Sequence, residues 1–117
     1  MIYLITGSMN LFARSIARRV GANGYRANST LRFNMRGELR DIGYKKDQGK
    51  RKVLQIKQLA RRLGIPVTEI YYIGDGENDR EAFLLTSKGV LLTKKKETSL
   101  QSQWKINALE DILEICI

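Results

Sequence analysis

The residues with the most chemistry in this chain are Asp75, Asn78 and Asp79, in the run Gly74-Asp-Gly-Glu-Asn-Asp79. A short apolar segment, 70–73, leads into the Gly-Asp-Gly turn, and Asn78-Asp79 opens the next segment. In an open α/β sheet, the carboxyl end of a strand just before a helix N-terminus is where ligands bind. Carboxylate oxygens gathered at one point suit a hard divalent cation. The same residues also suit an N-cap turn, with its acids favoured by the helix dipole.

The rest of the composition narrows the chemistry. There is no histidine, which removes Ser-His-Asp triads and most zinc sites. Cys116 is the only cysteine, so no internal disulfide forms; its place in a terminal apolar pattern reads as packed rather than reactive. The net charge of +9 invites a nucleic-acid reading. Against that, basic residues fall in every segment and no recognised nucleic-acid module is present, so the charge reads as solvated surface. No apolar run is long enough to span a bilayer, and the N-terminus has no signal pattern, which points to the cytoplasm.

The elements that position the acidic turn follow from periodicity. Residues 1–5 are a continuous apolar run and read as a buried strand, broken by Thr6-Gly7-Ser8. Asn10 is placed to cap a helix with Phe12, Ile16 and Val20 inward and Ala13 and Ala17 beside them; Gly21 and Gly24 end it. Residues 25–28 read as a short strand. Segments 30–33 and 38–42 alternate apolar with polar around Asn34-Met-Arg-Gly37, which predicts a β-hairpin, and 43–49 reads as loop. Residues 50–63 form the clearest helix, with Val53, Ile56, Leu59, Ala60 and Leu63 on one face, a capping Gly64, and Pro66 beyond. A buried strand is expected at 70–73, a helix at 78–85, strands at 89–93 and 104–106, and polar loop at 94–103. Asn107-Ala-Leu-Glu110 resembles a capping box for a last helix with Leu109, Ile112, Leu113 and Cys116 inward. Strands alternating with helices predict an α/β, Rossmann-like three-layer sandwich with a mainly parallel sheet plus the small hairpin, in a single domain over 1–117.

On these segments the chain resembles the haloacid dehalogenase-like hydrolases, most closely their phosphoserine phosphatase-like branch. Gly74-Asp-Gly-Glu-Asn-Asp79 is similar to the family's fourth, acidic motif. The resemblance makes Asp75 a magnesium ligand, Asp79 the residue that orients the metal's shell, and Asn78 a holder of substrate or phosphate. Lys52-Val-Leu-Gln-Ile-Lys-Gln-Leu-Ala-Arg-Arg-Leu-Gly-Ile65 resembles the third motif, in which a lysine opens the helix and neutralises the attacking carboxylate and the transferring phosphate. Lys52 fits that spacing without a gap and Lys50 is its near rival; a solvated lysine in the basic run Lys45, Lys46, Lys50, Arg51 is the other reading. Leu4-Ile-Thr-Gly7 resembles the second motif, in which the hydroxyl of Thr6 and the amides of Gly7 and Ser8 would bind phosphate oxygens. An ST-turn capping a helix would look the same.

One departure from the family pattern is large. The family's first motif is an apolar strand ending in Asp-x-Asp, which supplies the covalent nucleophile and the acid-base residue. No Asp-x-Asp occurs in this chain, and the helical cap between the first two motifs is absent as well. The resemblance therefore implies a truncated core that keeps phosphate- and magnesium-site residues without a nucleophile, inactive as a phosphomonoesterase unless another chain completes it. The missing strand is the central one of the family's sheet. Its gap is expected to be closed by direct pairing of 1–5 with 70–73, by a second copy, or by a complementing chain. The alternatives to a phosphatase-related role are a non-catalytic module that binds phosphate, another anion or a protein, and a basic nucleic-acid-binding protein.

Overall fold

In the computed structural model of the protein, residues 1–44 and 46–116 are described; Lys45 of the basic run lies outside them. The chain falls into two compact units, Met1–Arg51 and Lys52–Ile117, divided within the first turn of a helix.

The first unit contains strand β1 (Tyr3–Met9), helix α1 (Asn10–Arg19) and strands β2 (Gly24–Phe33) and β3 (Leu39–Tyr44). β1 and β2 are parallel, β2 and β3 antiparallel, in the order β1-β2-β3. The hairpin forms as expected but is longer. Segments 25–28 and 30–33 are one strand, and β3 reaches Tyr44, inside the segment expected to be loop. Asn34 sets the turn: its side-chain Oδ1 accepts from the amides of Arg36 at 2.9 Å and Glu38 at 3.0 Å, and Gly37 takes the left-handed conformation.

Three further expectations for this unit are corrected. Thr6-Gly7-Ser8 does not end β1; it makes a bulge, because the register slips between Thr6 and Met9 and the ladder then resumes. Asn10 does not cap α1. Its side-chain oxygen instead accepts from the Leu31 amide of β2 at 3.3 Å, and Met9 stands at the cap position without a side-chain bond. The inward face of α1 is Ala13 and Ala17, whereas Phe12 and Val20 are exposed. Two alanines one turn apart let the helix lie close on β2, and this close approach outranks the larger side chains. Gly21 closes the helix in a Schellman pattern, with Ala22 N donating to Ala17 O at 2.8 Å. β1 is half-buried rather than buried, since it forms one edge of its sheet.

Helix α2 (Gln48–Leu63) leads into the second unit. Asp47 caps it by accepting from the Lys50 amide at 3.3 Å, so the helix starts earlier than its apolar pattern suggests. Strands β4 (Tyr72–Gly74), β5 (Gly89–Leu92) and β6 (Trp104–Ile106) form a wholly parallel sheet in that order, with α3 (Arg80–Thr86) between the first two. The core gathers Ile56, Ala60, Tyr72, Ala82, Phe83, Val90, Leu91, Leu100 and Ile106. Each large apolar side chain here contributes about 1.5–3 kcal/mol through burial. Leu100 comes from the segment expected to be polar loop.

β4 alternates where continuous burial was expected: Tyr72 is inside, and Tyr71 and Ile73 are exposed. It too is an edge strand. Among the described residues β1 ladders with β2 in the first unit and β4 with β5 in the second. The helix expected at 78–85 is a 3₁₀ turn, Glu77–Asp79, followed by α3. At the C-terminus, Leu109 and Leu113 are exposed, as is Cys116, which was expected to be packed. The final helix α4 (Ile112–Ile115) is too short to lay a full apolar face on the sheet. Asp111, not Glu110, closes its leading turn, accepting from the amides of Asn107 and Ala108. Among the described residues no helix is long and apolar enough to cross a membrane.

Candidate active site

The centre of the second unit's site is Asp79, 2% exposed, at the end of the 3₁₀ turn that follows β4. Its Oδ1 accepts from the Lys52 ammonium at 2.7 Å and from the Tyr72 phenol at 2.6 Å. Its Oδ2 accepts from the amides of Asp75 at 3.0 Å and Gly76 at 3.2 Å. Each donor arrives from an element whose sequence places it. Lys52 lies in α2, one turn before the buried Ile56. Tyr72 is the inward residue of an alternating strand, and its ring meets Phe83 edge-on with centroids 5.8 Å apart. The two amides come from the Gly-Asp-Gly turn, which folds back over the carboxylate. Gly74 is required there, because a Cβ would stand 2.4 Å from the Asp79 carboxyl.

The electrostatics follow from this geometry. Burial alone would push the Asp79 carboxyl up, but hydrogen bonds from Lys52, Tyr72 and Gly76 outweigh it and hold the group below the usual carboxylate range. Burial pushes the Tyr72 phenol far up, and the Asp79 charge adds to the shift. Lys52 and Asp79 are thus a desolvated ion pair with extra hydrogen bonds, the geometry in which such a pair tolerates its desolvation cost.

The other candidate residues are distributed as follows. Asp75 and Asn78 are exposed on the turn. The Asp75 carboxylate borders a shallow cavity of about 400 Å³ at the carboxyl ends of the strands, whose rim includes Thr93, Lys94, Asn107 and Glu110. Lys50 is exposed and pairs with Asp47 at 3.5 Å, so of the two rival lysines only Lys52 is buried against the acidic motif. Thr6, Gly7 and Ser8 form the bulge of β1 in the first unit. The Thr6 hydroxyl accepts from the Ser8 amide at 3.1 Å, which is the ST-turn, and the Gly7 carbonyl accepts from the Ser29 hydroxyl at 2.8 Å. Nearby, the buried Asn28 donates to Gln48 Oε1 at 3.1 Å, and that oxygen stands 3.0 Å from where a Cβ on Gly7 would be.

Tyr72, Asn28 and Gln48 were missed by sequence reasoning. For Tyr72 a signal existed: the inward tyrosine of a strand has a hydroxyl that must find a partner. For Asn28 and Gln48 none did, since polar residues of that kind read equally well as surface.

Members of the haloacid dehalogenase-like family generally use magnesium. Magnesium takes six oxygen ligands, some of them waters. Among the described residues no group of three or more His, Cys, Asp or Glu is placed to hold a metal. The Asp79 oxygens are taken by four donors and Glu77 pairs with Arg80 at 2.6 Å, which leaves Asp75, among the described residues of the turn, as the carboxylate not engaged by another side chain. These residues do not by themselves make a magnesium site.

A parallel sheet carrying an acidic turn beyond its first strand, with a buried lysine beside it, is an open α/β core with its polar groups at the carboxyl ends of the strands. The chain belongs to the haloacid dehalogenase-like hydrolase family, whose sequence model matches residues 1–84. The fold is similar to that of a phosphoserine phosphatase in its apo form, with 20% identity and a TM-score of 0.78 over 96% of this chain and 56% of that one. It is also similar to a probable phosphoserine phosphatase from Vibrio cholerae, with 18% identity and a TM-score of 0.84 over 97% of this chain and 36% of that one. A third similar structure is a haloacid dehalogenase family hydrolase from Salmonella enterica serovar Typhi, with 22% identity and a TM-score of 0.76 over 90% of this chain and 36% of that one. The chain thus spans between about a third and just over half of the length of these structures. No curated protein sequence matches it.

Proposed function

We propose that this chain is the phosphate-handling part of a haloacid dehalogenase-like phosphomonoesterase, and that the attacking aspartate comes from outside these residues. The observation that carries the reading is the buried Lys52–Asp79 pair at 2.7 Å, set beneath a turn that leaves Asp75 exposed. Asp79 engages one of the three ammonium protons through a short bond, and the ammonium retains charge and donors for an anion. Thr6 accepts from Ser8 through its oxygen and keeps its own proton to donate to a phosphate oxygen. Asn78, exposed on the turn, is the further contact for phosphate or substrate. Asp75 would serve magnesium only as one ligand among several, with the others supplied together with the attacking aspartate. The complementing segment is an apolar strand ending in Asp-x-Asp, on another polypeptide or elsewhere in a longer one. A cytoplasmic location belongs to the same reading.

The test has two arms. The purified chain is assayed with p-nitrophenyl phosphate and magnesium, and no turnover above background is expected. Turnover that Asp75→Ala removes would overturn the claim that the nucleophile is external. Inorganic phosphate is titrated into the chain while amide resonances are followed. Shifts at Thr6, Gly7 and Ser8 are expected, and their absence up to high phosphate would remove the phosphate-handling role.

A further inference from the structure

The β2–β3 hairpin has two unlike faces. Directly opposed residues of an antiparallel ladder point to the same side, and alternate residues share it. The register pairs Leu31 with Ile42, Ser29 with Tyr44, and Phe33 with Leu39 beyond a bulge. One face therefore carries Ser29, which is buried, with Leu31, Phe33, Leu39, Ile42 and Tyr44. The other carries Thr30 and the Arg32–Asp41 ion pair. This is the alternation of a ribbon whose apolar side is covered, yet Phe33, Leu39, Ile42 and Tyr44 are 49%, 55%, 58% and 65% exposed, and Met35 on the turn is fully so. At ordinary side-chain areas these residues present roughly 600 Å² of contiguous apolar surface, at the upper end of the largest patch on a typical monomer.

We propose that this hairpin face is the contact between two copies of the chain in a two-fold dimer. Burying the patch on both copies removes roughly 1,200 Å² from water, which reaches the size of a specific protein interface. An isologous contact needs a patch complementary to itself, and an apolar ribbon face meets that need where a charged one would not. Arg32 pairs with Asp41 on the opposite face of the ribbon, off the contact plane.

The contact is separate from the complementing strand of the phosphatase reading, and the two are tested apart. Sedimentation equilibrium of the chain is run from about 1 to about 200 µM, a range that resolves micromolar association. Ile42→Asp and Phe33→Asp test the hairpin face, and Ile73→Asp on the exposed side of β4 is the control. The wild type and Ile73→Asp are expected to dimerise. Each hairpin variant is expected to raise the dimer dissociation constant at least tenfold with unchanged far-ultraviolet circular dichroism. Should one hairpin variant lose its fold, Tyr44→Lys reads the same surface at its most exposed large side chain. A wild type that stays monomeric overturns the proposal. So does a dimer that survives the hairpin substitutions, or one lost only in Ile73→Asp, which would put the contact at the edge of the second sheet.

Discussion

Replacing Lys52 with methionine isolates the interaction on which the acidic turn depends. Methionine keeps the length and apolar stem of the side chain, so packing along α2 changes little. What is lost is the ammonium 2.7 Å from Asp79 Oδ1, leaving a carboxylate 2% exposed with the Tyr72 phenol and two amides as its remaining donors. Breaking a buried ion pair by removing one partner costs about 3–5 kcal/mol. The three remaining donors soften the loss, which puts the expected cost near 3 kcal/mol at neutral pH, or a fall in Tm of roughly 10–15 °C for a chain of this size. Urea denaturation followed by circular dichroism measures it. The pH dependence has a definite sign. In the wild type the folded Asp79 carboxyl titrates below its unfolded value of about 3.9, so its contribution is full above that pH and is lost as pH falls through the folded value. In the variant burial dominates and the folded carboxyl titrates higher, so the variant recovers stability as the carboxyl takes up a proton. The gap between the two proteins is widest at neutral pH and narrows on acidification. Adding Asp79→Asn to Lys52→Met should restore part of the loss, because a neutral amide no longer needs the ammonium. A cost below about 1 kcal/mol at pH 7, or a gap that does not change with pH, would refute the description of a desolvated pair.

Three more outcomes are expected. Gly74→Ala puts a methyl group 2.4 Å from the Asp79 carboxyl, and the chain should lose several kcal/mol or fail to express in soluble form. Tyr72→Phe retains the ring contact with Phe83 but removes a donor to a charged oxygen, so denaturation should report a loss of about 1.5–3 kcal/mol. The folded phenol titrates above its unfolded value of about 10, so the wild type should lose stability on passing above that pH more steeply than Tyr72→Phe does. Cys116 is exposed, so a thiol-directed chromophoric reagent should label it in the folded chain at nearly the rate seen in denaturant; strong protection would contradict the exposed terminus.

How much of this was legible in the sequence depended on whether a residue's role is local. α2 could be read because Ile56 and Ala60 recur at helical spacing and Gly64 closes the helix with a left-handed turn. The parallel pairing of β4 with β5 followed from apolar strands flanking a helix, whereas β6 joins β5 in parallel through a loop that carries no helix. The errors fell where tertiary contacts override local preference. Asn10 prefers a cap in isolation, but the amide of Leu31 from β2 offers its side chain a different partner. Phe12 outweighs Ala13 on any hydrophobicity scale, yet the close approach of α1 to β2 selects the smaller residue. Ile73 and residues 1–5 read as buried because they are apolar, but edge strands cover only part of their side chains.

The acidic motif itself shows why a site can be easier to read than its surroundings. Asp79 satisfies a lysine from α2, a tyrosine from β4 and two amides from the turn that follows β4, so this one residue joins the elements on which the second unit is built. A structural demand of that kind fixes the sequence tightly: glycine at 74 for clearance, amides at 75 and 76 pointing inward, a cation one helical turn before Ile56. The same inward commitment of Asp79 leaves the carboxylate of Asp75 on the opposite side of the turn, toward solvent. The clamp that stabilises the fold is therefore also what presents the chemically available group. None of these contacts calls on an attacking aspartate, since each donor to Asp79 comes from within residues 52–79. The acidic motif can on this account be kept for reasons of stability alone. Activity restored by a complementing strand, lost again in Asp75→Asn with the Tm unchanged, would separate the chemical role of the turn from its structural one.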